Sequence, residues 1–221
     1  METAGEIPSF SIYIILLFVF GFATVMAMVT TSFLKIVIVL QLLKSAMGLQ
    51  EAPPRMAINA LAMMLTMYIM APIAIDAYGS FSKYEINYTD IRDPALIDAA
   101  KEASIPFKQF LGKHSDAAEK AFFRKSAEKL WPAKYARTLD DEHLLVLIPA
   151  FTVSQLKSAF QAGFMIYLPF IVIDLIISNI LLALGMMMVS PIVISMPFKL
   201  LLFVLVDGWS RLLHSLIISY Q

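Results

Sequence analysis

An all-α fold of the integral-membrane type, built from bent and broken hydrophobic hairpins around a small polar helical insert, is predicted by three observations. Of the 221 residues, 59% are apolar and only 15% charged, far from the balance of soluble domains. The charges are concentrated, with 11 of the 17 Lys/Arg and 11 of the 17 Asp/Glu between Ser80 and Glu142. The apolar arms on either side are in turn cut by prolines, small polar clusters and isolated charges, so their runs are too long or too short for simple spans. The chain therefore divides into a hydrophobic hairpin over 1–79, a polar insert over 80–143 on the periplasmic side, and a second hydrophobic hairpin with a methionine loop over 144–221.

The first arm is apolar from Phe10 to Leu43 with Lys35 as its one charge, which at 1.5 Å per residue is about 50 Å of helix, longer than a bilayer core. A bend is expected at Gly21 or at the Thr30-Thr31-Ser32 cluster, whose hydroxyls can bond back to helix carbonyls. Gly48 ends this helix, and Pro53-Pro54 open the next. That second helix, from Met56 to about Tyr78, is long enough to span, with a kink expected at Pro72 and Asp76 near its end. Lys44 and Arg55 put the short loop between them in the cytoplasm.

In the insert, "DPALIDAAKEA" reads as a helix with Asp93 as N-cap and Pro94 at its first position. "DAAEKAFFRKSAEKLW" reads as another, capped by Asp116 with Glu119 three residues on and ended by Trp131-Pro132. The second arm starts near Leu144. Its stretch from Gly163 to Val189 is interrupted by Pro169, Asp174 and Asn179, and its last run, Ile192 to Val206, is short and contains Lys199.

Composition excludes several classes. Net charge is zero and the isoelectric point is near 6.8, so no basic field marks a nucleic-acid partner. With no cysteine there are no disulfides, thiolate metal sites or cysteine nucleophiles. His114, His143 and His214 stand singly, without metal spacing, and no phosphate loop or dinucleotide fingerprint occurs; no cofactor or metal is expected. The start, "METAGEIPSF", lacks the positive region of a signal peptide and reads as part of the mature chain, its Glu2 and Glu6 facing away from the cytoplasm.

Lys35, Asp76, Asp174, Lys199 and Asp207 lie within or beside apolar runs, where an ionised side chain costs several kcal/mol unless paired or wetted. They read as ion pairs, as the wall of an aqueous path or as an ion relay. Asp174 and Lys199 are about 14 and 11 residues from Met188, so a hairpin turning there brings them within roughly 4–5 Å in height, inside a lysine's reach. An aspartyl dyad of Asp76 and Asp174 lacks the glycine-rich opening that would admit a peptide. A Ser32/Lys35 nucleophile pair is weaker than a snorkelling lysine beside a back-bonded hydroxyl.

Fourteen methionines fall in clusters. Met63, Met67 and Met70 share one helix stripe and read as packing filler. Met186, Met187 and Met188 do not: consecutive helical positions point about 100° apart, so three in a row cannot serve one face. Gly185 before them and Ser190-Pro191 after them put them in a turn. Unbranched thioethers from several subunits could there close around a passing chain, because methionine repacks against irregular outlines.

"TSFLKIVIVLQLLKSAMGLQEAPP" from Thr31, "YIMAPI" from Tyr68, the long run beginning "LIPAFTVSQLKSAFQAGF" at Leu147 and "PFKLLLFVLVDGW" from Pro197 resemble the SctR/FliP family of type III secretion export-gate proteins. "LWPAKYA" from Leu130 is closer to the injectisome branch. The resemblance covers both arms and little of the insert. It implies a non-enzymatic core subunit in the bacterial inner membrane, a homo-oligomer of five copies assembled with SctS-like and SctT-like subunits above an SctV-like export channel, lifted largely out of the bilayer toward the periplasm. Unfolded secreted proteins would pass through its middle, and Met186, Met187 and Met188 match the family's gasket. The residues alone leave open a small ion or solute channel with an intramembrane charge relay, and a membrane enzyme.

Overall fold

The computed structural model describes residues 9–49, 51–84, 94–136 and 139–221. The acidic start with Glu2 and Glu6, and Asp93 as a helix cap, lie outside them. The described residues form helices and no strand: α1 (Ser9–Thr30), α2 (Phe33–Ala46), α3 (Arg55–Phe81), α4 (Pro94–Lys113), α5 (Ala117–Leu130), α6 (Ala133–Ala136), α7 (Leu144–Ala183), α8 (Pro191–Leu205) and α9 (Gly208–Ile218). Two of them, α3 and α7, are each long and apolar enough to cross a membrane, and α1–α2 and α8–α9 form bent pairs of the same character.

The first arm bends by 67° at the hydroxyl cluster. Thr30 and Thr31 donate to the carbonyls of Met26 and Ala27, each at 2.7 Å, and these acceptors are then shared at the place where the helix must choose between continuing and turning. Helix α1 runs unbroken through Gly21. Helix α3 runs through Pro72, where the kink is expected, and Pro169 does not interrupt its run: α7 continues for 40 residues past Pro149, Pro169, Asp174 and Asn179. A proline removes one backbone hydrogen bond, and the long apolar turns on either side keep the rest. At 1.5 Å per residue α7 is about 60 Å long, roughly twice a bilayer core.

The core forms where α2 lies between α3 and α7. Ile36, Val39, Leu40, Ile58, Ala62, Ala159 and Leu216 bury one layer. Below it, Leu43, Met47, Phe170 and Phe203 join α2 to α7 and α8. The α2–α7 approach is set by Gly163: a Cβ there would sit 2.2 Å from the Cδ1 of Leu42. The buried face of α3 is Ile58, Ala62 and Thr66, so Met63 and Met67, expected as filler, point outward at 51% and 66% exposure; Met70 is the one of the three that packs inward.

The insert docks on the N-terminal half of α7. Asp116 stands at the N-cap of α5, but its carboxylate caps nothing there. It accepts from Lys157 of α7 at 2.8 Å, while its amide donates to the Ser154 hydroxyl at 2.8 Å, so what looked like a helix cap is a tie between layers. Helix α4 extends through Pro106 to Lys113, and α7 is capped by His143, whose Nδ1 accepts from the Leu145 amide.

At this junction the His114 ring meets Phe110 and Tyr220, with centroids 4.8 and 5.1 Å away. Burial, and then the charges of Lys113 and Lys35, push it down to about 4 from the usual 6.5. The unfolded chain therefore takes up a proton between pH 6.5 and 4 that the folded chain refuses. The stabilisation is complete above 6.5 and is lost as the pH falls toward 4. In detergent, lowering the pH from 7 to 4.5 should lower the Tm of the parent more than that of His114→Asn, read by differential scanning fluorimetry. Gly163→Ala should destabilise by about 1–3 kcal/mol, as overpacked cores do, and Leu42→Ala in the same chain should recover part of the loss.

Candidate functional site

The second arm reverses direction between α7 and α8. Helix α7 ends where Gly185 takes φ +74, a left-handed conformation that suits glycine and strains other residues. The Gly185 and Met186 amides donate to the carbonyls of Leu182 and Leu181 at 3.0 and 2.9 Å, closing the helix end. Ser190 is extended and makes no side-chain cap, and Pro191 begins α8, where its fixed φ suits a first helical position. Between these two stops Met186, Met187 and Met188 are 45%, 81% and 100% exposed. None of the described residues packs on the last of them, so the triplet is not a core cluster of this subunit.

A buried charge cluster braces the same reversal. Lys199 has only 3% of its side chain exposed. Its Nζ donates to Asp174 Oδ2 at 2.7 Å and to the carbonyl of Ala46, the last residue of α2, at 3.1 Å, where a cation also meets the negative end of the helix dipole. The other oxygen of Asp174, Oδ1, accepts from the Ser195 hydroxyl at 2.5 Å. Ser195 lies one turn before Lys199 on α8, so both reach one carboxylate from one helix face. Sequence reasoning selected Asp174 and Lys199 and missed Ser195 and the Ala46 carbonyl. The serine could have been found by its i, i+4 spacing to Lys199; the carbonyl had no sequence signal.

The other charges in the apolar arms are placed differently. Lys35, 7% exposed, donates to the Ser219 hydroxyl at 2.9 Å and lies over the Tyr220 ring at 4.8 Å, so it is held by a hydroxyl and an aromatic face. The Tyr220 hydroxyl donates to Gln155 Oε1 at 2.6 Å, and Gln155 Nε2 donates to the His114 carbonyl at 2.9 Å; none of these partners was singled out by the sequence. Asp207 turns the chain between α8 and α9 with φ 52, a value aspartate tolerates better than most residues. Its carboxylate accepts from Ser210 at 3.0 Å. Asp76 is exposed on α3, and among the described residues no ion pair reaches it or Asp207.

These placements dispose of the catalytic pairings. Asp174 spends its oxygens on Ser195 and Lys199, not on Asp76, and the Lys35 ammonium goes to Ser219 while the buried Ser32 hydroxyl has no hydrogen-bond partner among the described residues. The cluster is a structural joint, and the exposed methionines are what the turn displays. Removing Asp174 leaves a buried ammonium with a single carbonyl, whereas removing Lys199 leaves a partly exposed carboxylate still bonded to Ser195. Asp174→Ala should therefore cost about 3–5 kcal/mol and Lys199→Met distinctly less, measured by denaturation in detergent; equal losses would show that the asymmetry of burial is irrelevant.

The sequence pattern of the FliP family matches residues 16–216. The chain is 47% identical over 215 residues to Yop proteins translocation protein R of Yersinia pestis, which covers 97% of this chain and 98% of that one. It is 49% identical over 199 residues to the hypersensitivity response secretion protein HrcR of Ralstonia nicotianae, covering 88% and 90%, and 41% identical over 210 residues to the virulence protein YscR of Salmonella typhimurium, covering 93% and 94%. With both hairpins and the methionine turn inside the matched range, the chain belongs to the FliP family.

Proposed function

We propose that this chain is a non-enzymatic core subunit of a type III secretion export apparatus and that its methionine turn is the seal of the export pore. The relatives' names, translocation protein of Yop proteins and secretion protein of the hypersensitivity response, support export of proteins as the task. The observation that carries the seal is the exposure of Met186, Met187 and Met188 at the tip of an apolar reversal, rising to completeness at Met188. Five copies around an axis, together with SctS-like and SctT-like subunits and above an SctV-like channel, bring these tips together. A resting pore has to exclude ions yet pass side chains from glycine to tryptophan. Methionine, with three side-chain torsions and a polarizable sulfur, closes a gap of changing outline where branched residues hold one shape.

Gly185, Ser190 and Pro191 set the ends of the turn, and the Asp174–Lys199 joint fixes its position on α2. The length of α7 and the bends of the other hairpins suit a complex that protrudes from the inner membrane toward the periplasm, with the insert of 80–143 on that side. Unfolded secreted proteins are the molecules in transit.

Replacing Met186, Met187 and Met188 by alanine should leave subunit stability within about 0.5 kcal/mol, as for exposed sites. Complex yield on native gels should persist while cells expressing the gate become leaky to ions or small dyes. If the triple variant assembles and is as tight as the parent, or if yield collapses without any leak, the seal lies elsewhere. A detergent-extracted complex that stays monomeric with all partners co-expressed would remove the ring itself.

A further inference from the structure

A groove of about 800 Å³ opens between α2, α7, α8 and α9, within the roughly 300–1,000 Å³ of small-molecule sites. Its wall is mainly apolar, and no acidic side chain lines it. The polar groups it has are gathered toward one end.

Two packed layers of the core run past the groove and mark its levels. Leu216 shares the first layer with Ile36 and Ala159. Their chain neighbours Ser215, Lys35 and Ser158 line the groove there, with Gln161 about one turn on along α7. Leu43, Phe170 and Phe203 belong to the second layer and line the other end. Leu212 packs on both layers, so Arg211 beside it stands between the two. From Ser158 to Phe170 the trough is about 18 Å long, close to the roughly 15 Å of one leaflet's hydrocarbon.

The donors toward the polar end are uncommitted. Lys35 is held by Ser219 and Tyr220, but among the described residues Arg211 forms no salt bridge. Among the same residues, no hydrogen bond ties up the side chains of Arg211, Ser158, Gln161 or Ser215. A small anion answers these donors and leaves the trough bare; an apolar helix fills the trough and leaves the donors unanswered. An amphiphile with an anionic head does both. The level suits such a head. Ser158 follows Lys157, whose pair with Asp116 at the edge of the insert is half exposed, and from Ser158 to Ala183 α7 carries Asp174 as its one charge. The polar end thus stands where α7 passes from wet into apolar surroundings.

We infer that this groove binds an anionic glycerophospholipid, with its phosphate on Arg211, Ser215 and Gln161 and one acyl chain laid along the trough to Phe170 and Phe203. The arginine stem spans the one turn along α9 that separates it from Ser215, keeping its methylenes on the apolar wall. The lipid covers walls that a complex standing clear of the bilayer otherwise exposes to water.

The test takes the complex co-purified with its partner subunits in mild detergent, stripped of lipid, and offers it phosphatidylglycerol and phosphatidylcholine in equal amounts. Native mass spectrometry should show phosphatidylglycerol retained with an apparent Kd about tenfold below that of phosphatidylcholine, the order of one charge-assisted contact. Arg211→Gln should erase this preference and Arg211→Lys should keep most of it. Neither should move the Tm of the lipid-free complex, because Arg211 is exposed. Glycerol phosphate in large excess should not displace the lipid. The position of the chain is read in the full-length protein carrying Trp131→Phe, where phosphatidylglycerol brominated on its acyl chains should quench Trp209, which packs on Phe203 with ring centroids 5.4 Å apart. Displacement by glycerol phosphate overturns the lipid in favour of an anion site. Equal retention of both lipids overturns the phosphate contact, and unquenched Trp209 puts the lipid elsewhere. A complex that retains no phospholipid has its groove filled by protein, which also overturns the proposal. Should Arg211→Gln lower the yield, the two lipids and the quenching decide on the parent protein.

Discussion

A lysine only 3% exposed sits where α2 ends and α7 and α8 cross, and much of the architecture follows from how it is satisfied. Lys199 cannot be left alone in an apolar surrounding, so it draws in the carboxylate of α7 and the terminal carbonyl of α2. Each contact fixes one helix against another. The register of α7 on α8 is pinned by Asp174, with Ser195 taking the remaining oxygen, and the end of α2 is pinned by the Ala46 carbonyl. Were α8 to slide one turn, the ammonium would lose both partners and pay the desolvation of a bare ion. The same joint sets where the methionine turn hangs, about eight residues beyond Ser195 toward α7.

Above this joint the structure relies on close approach instead of charge. Gly163 admits Leu42 into the surface of α7, and the layer from Ile36 to Leu216 fills the space this leaves. A second polar assembly, from Lys35 through Tyr220 to Gln155, ties the end of α9 to α2 and α7 and touches the insert at His114. The arms are thus held by two polar joints with an apolar seam between them. That arrangement specifies register at both ends of the seam, which greasy helices packed on greasy helices specify poorly.

What remains outward is as informative as what is buried. The outer face of α3, the face of α7 around Phe164 and Met165, and the methionine turn all present large apolar side chains. A monomer in water would not keep such faces. A membrane accepts such apolar faces, but an exposed carboxylate such as Asp76 is costly in its core. The chain is a part whose remaining contacts are supplied by an assembly, in keeping with its membership of a family of export proteins.

The amino-acid sequence by itself determined the membrane-type helical class, the polar insert, the Thr-Thr-Ser bend, the glycine and proline that bound the methionine turn, and the reach of Lys199 to Asp174. These are local properties: hydropathy, hydroxyls competing for carbonyls, the backbone freedom of Gly185, and helical rise counted from a turn. It read Pro169 as an interruption, yet α7 runs on through it, because whether a helix survives a proline depends on the turns flanking it and not on that residue alone. Only the tertiary structure decided that Asp116 ties α5 to α7 instead of capping, that Met63 and Met67 face outward, and that Lys35 is held by Ser219 and Tyr220, 184 residues away for the serine. Such outcomes turn on which distant helix arrives opposite a side chain, and periodicity within one helix carries no information about that partner.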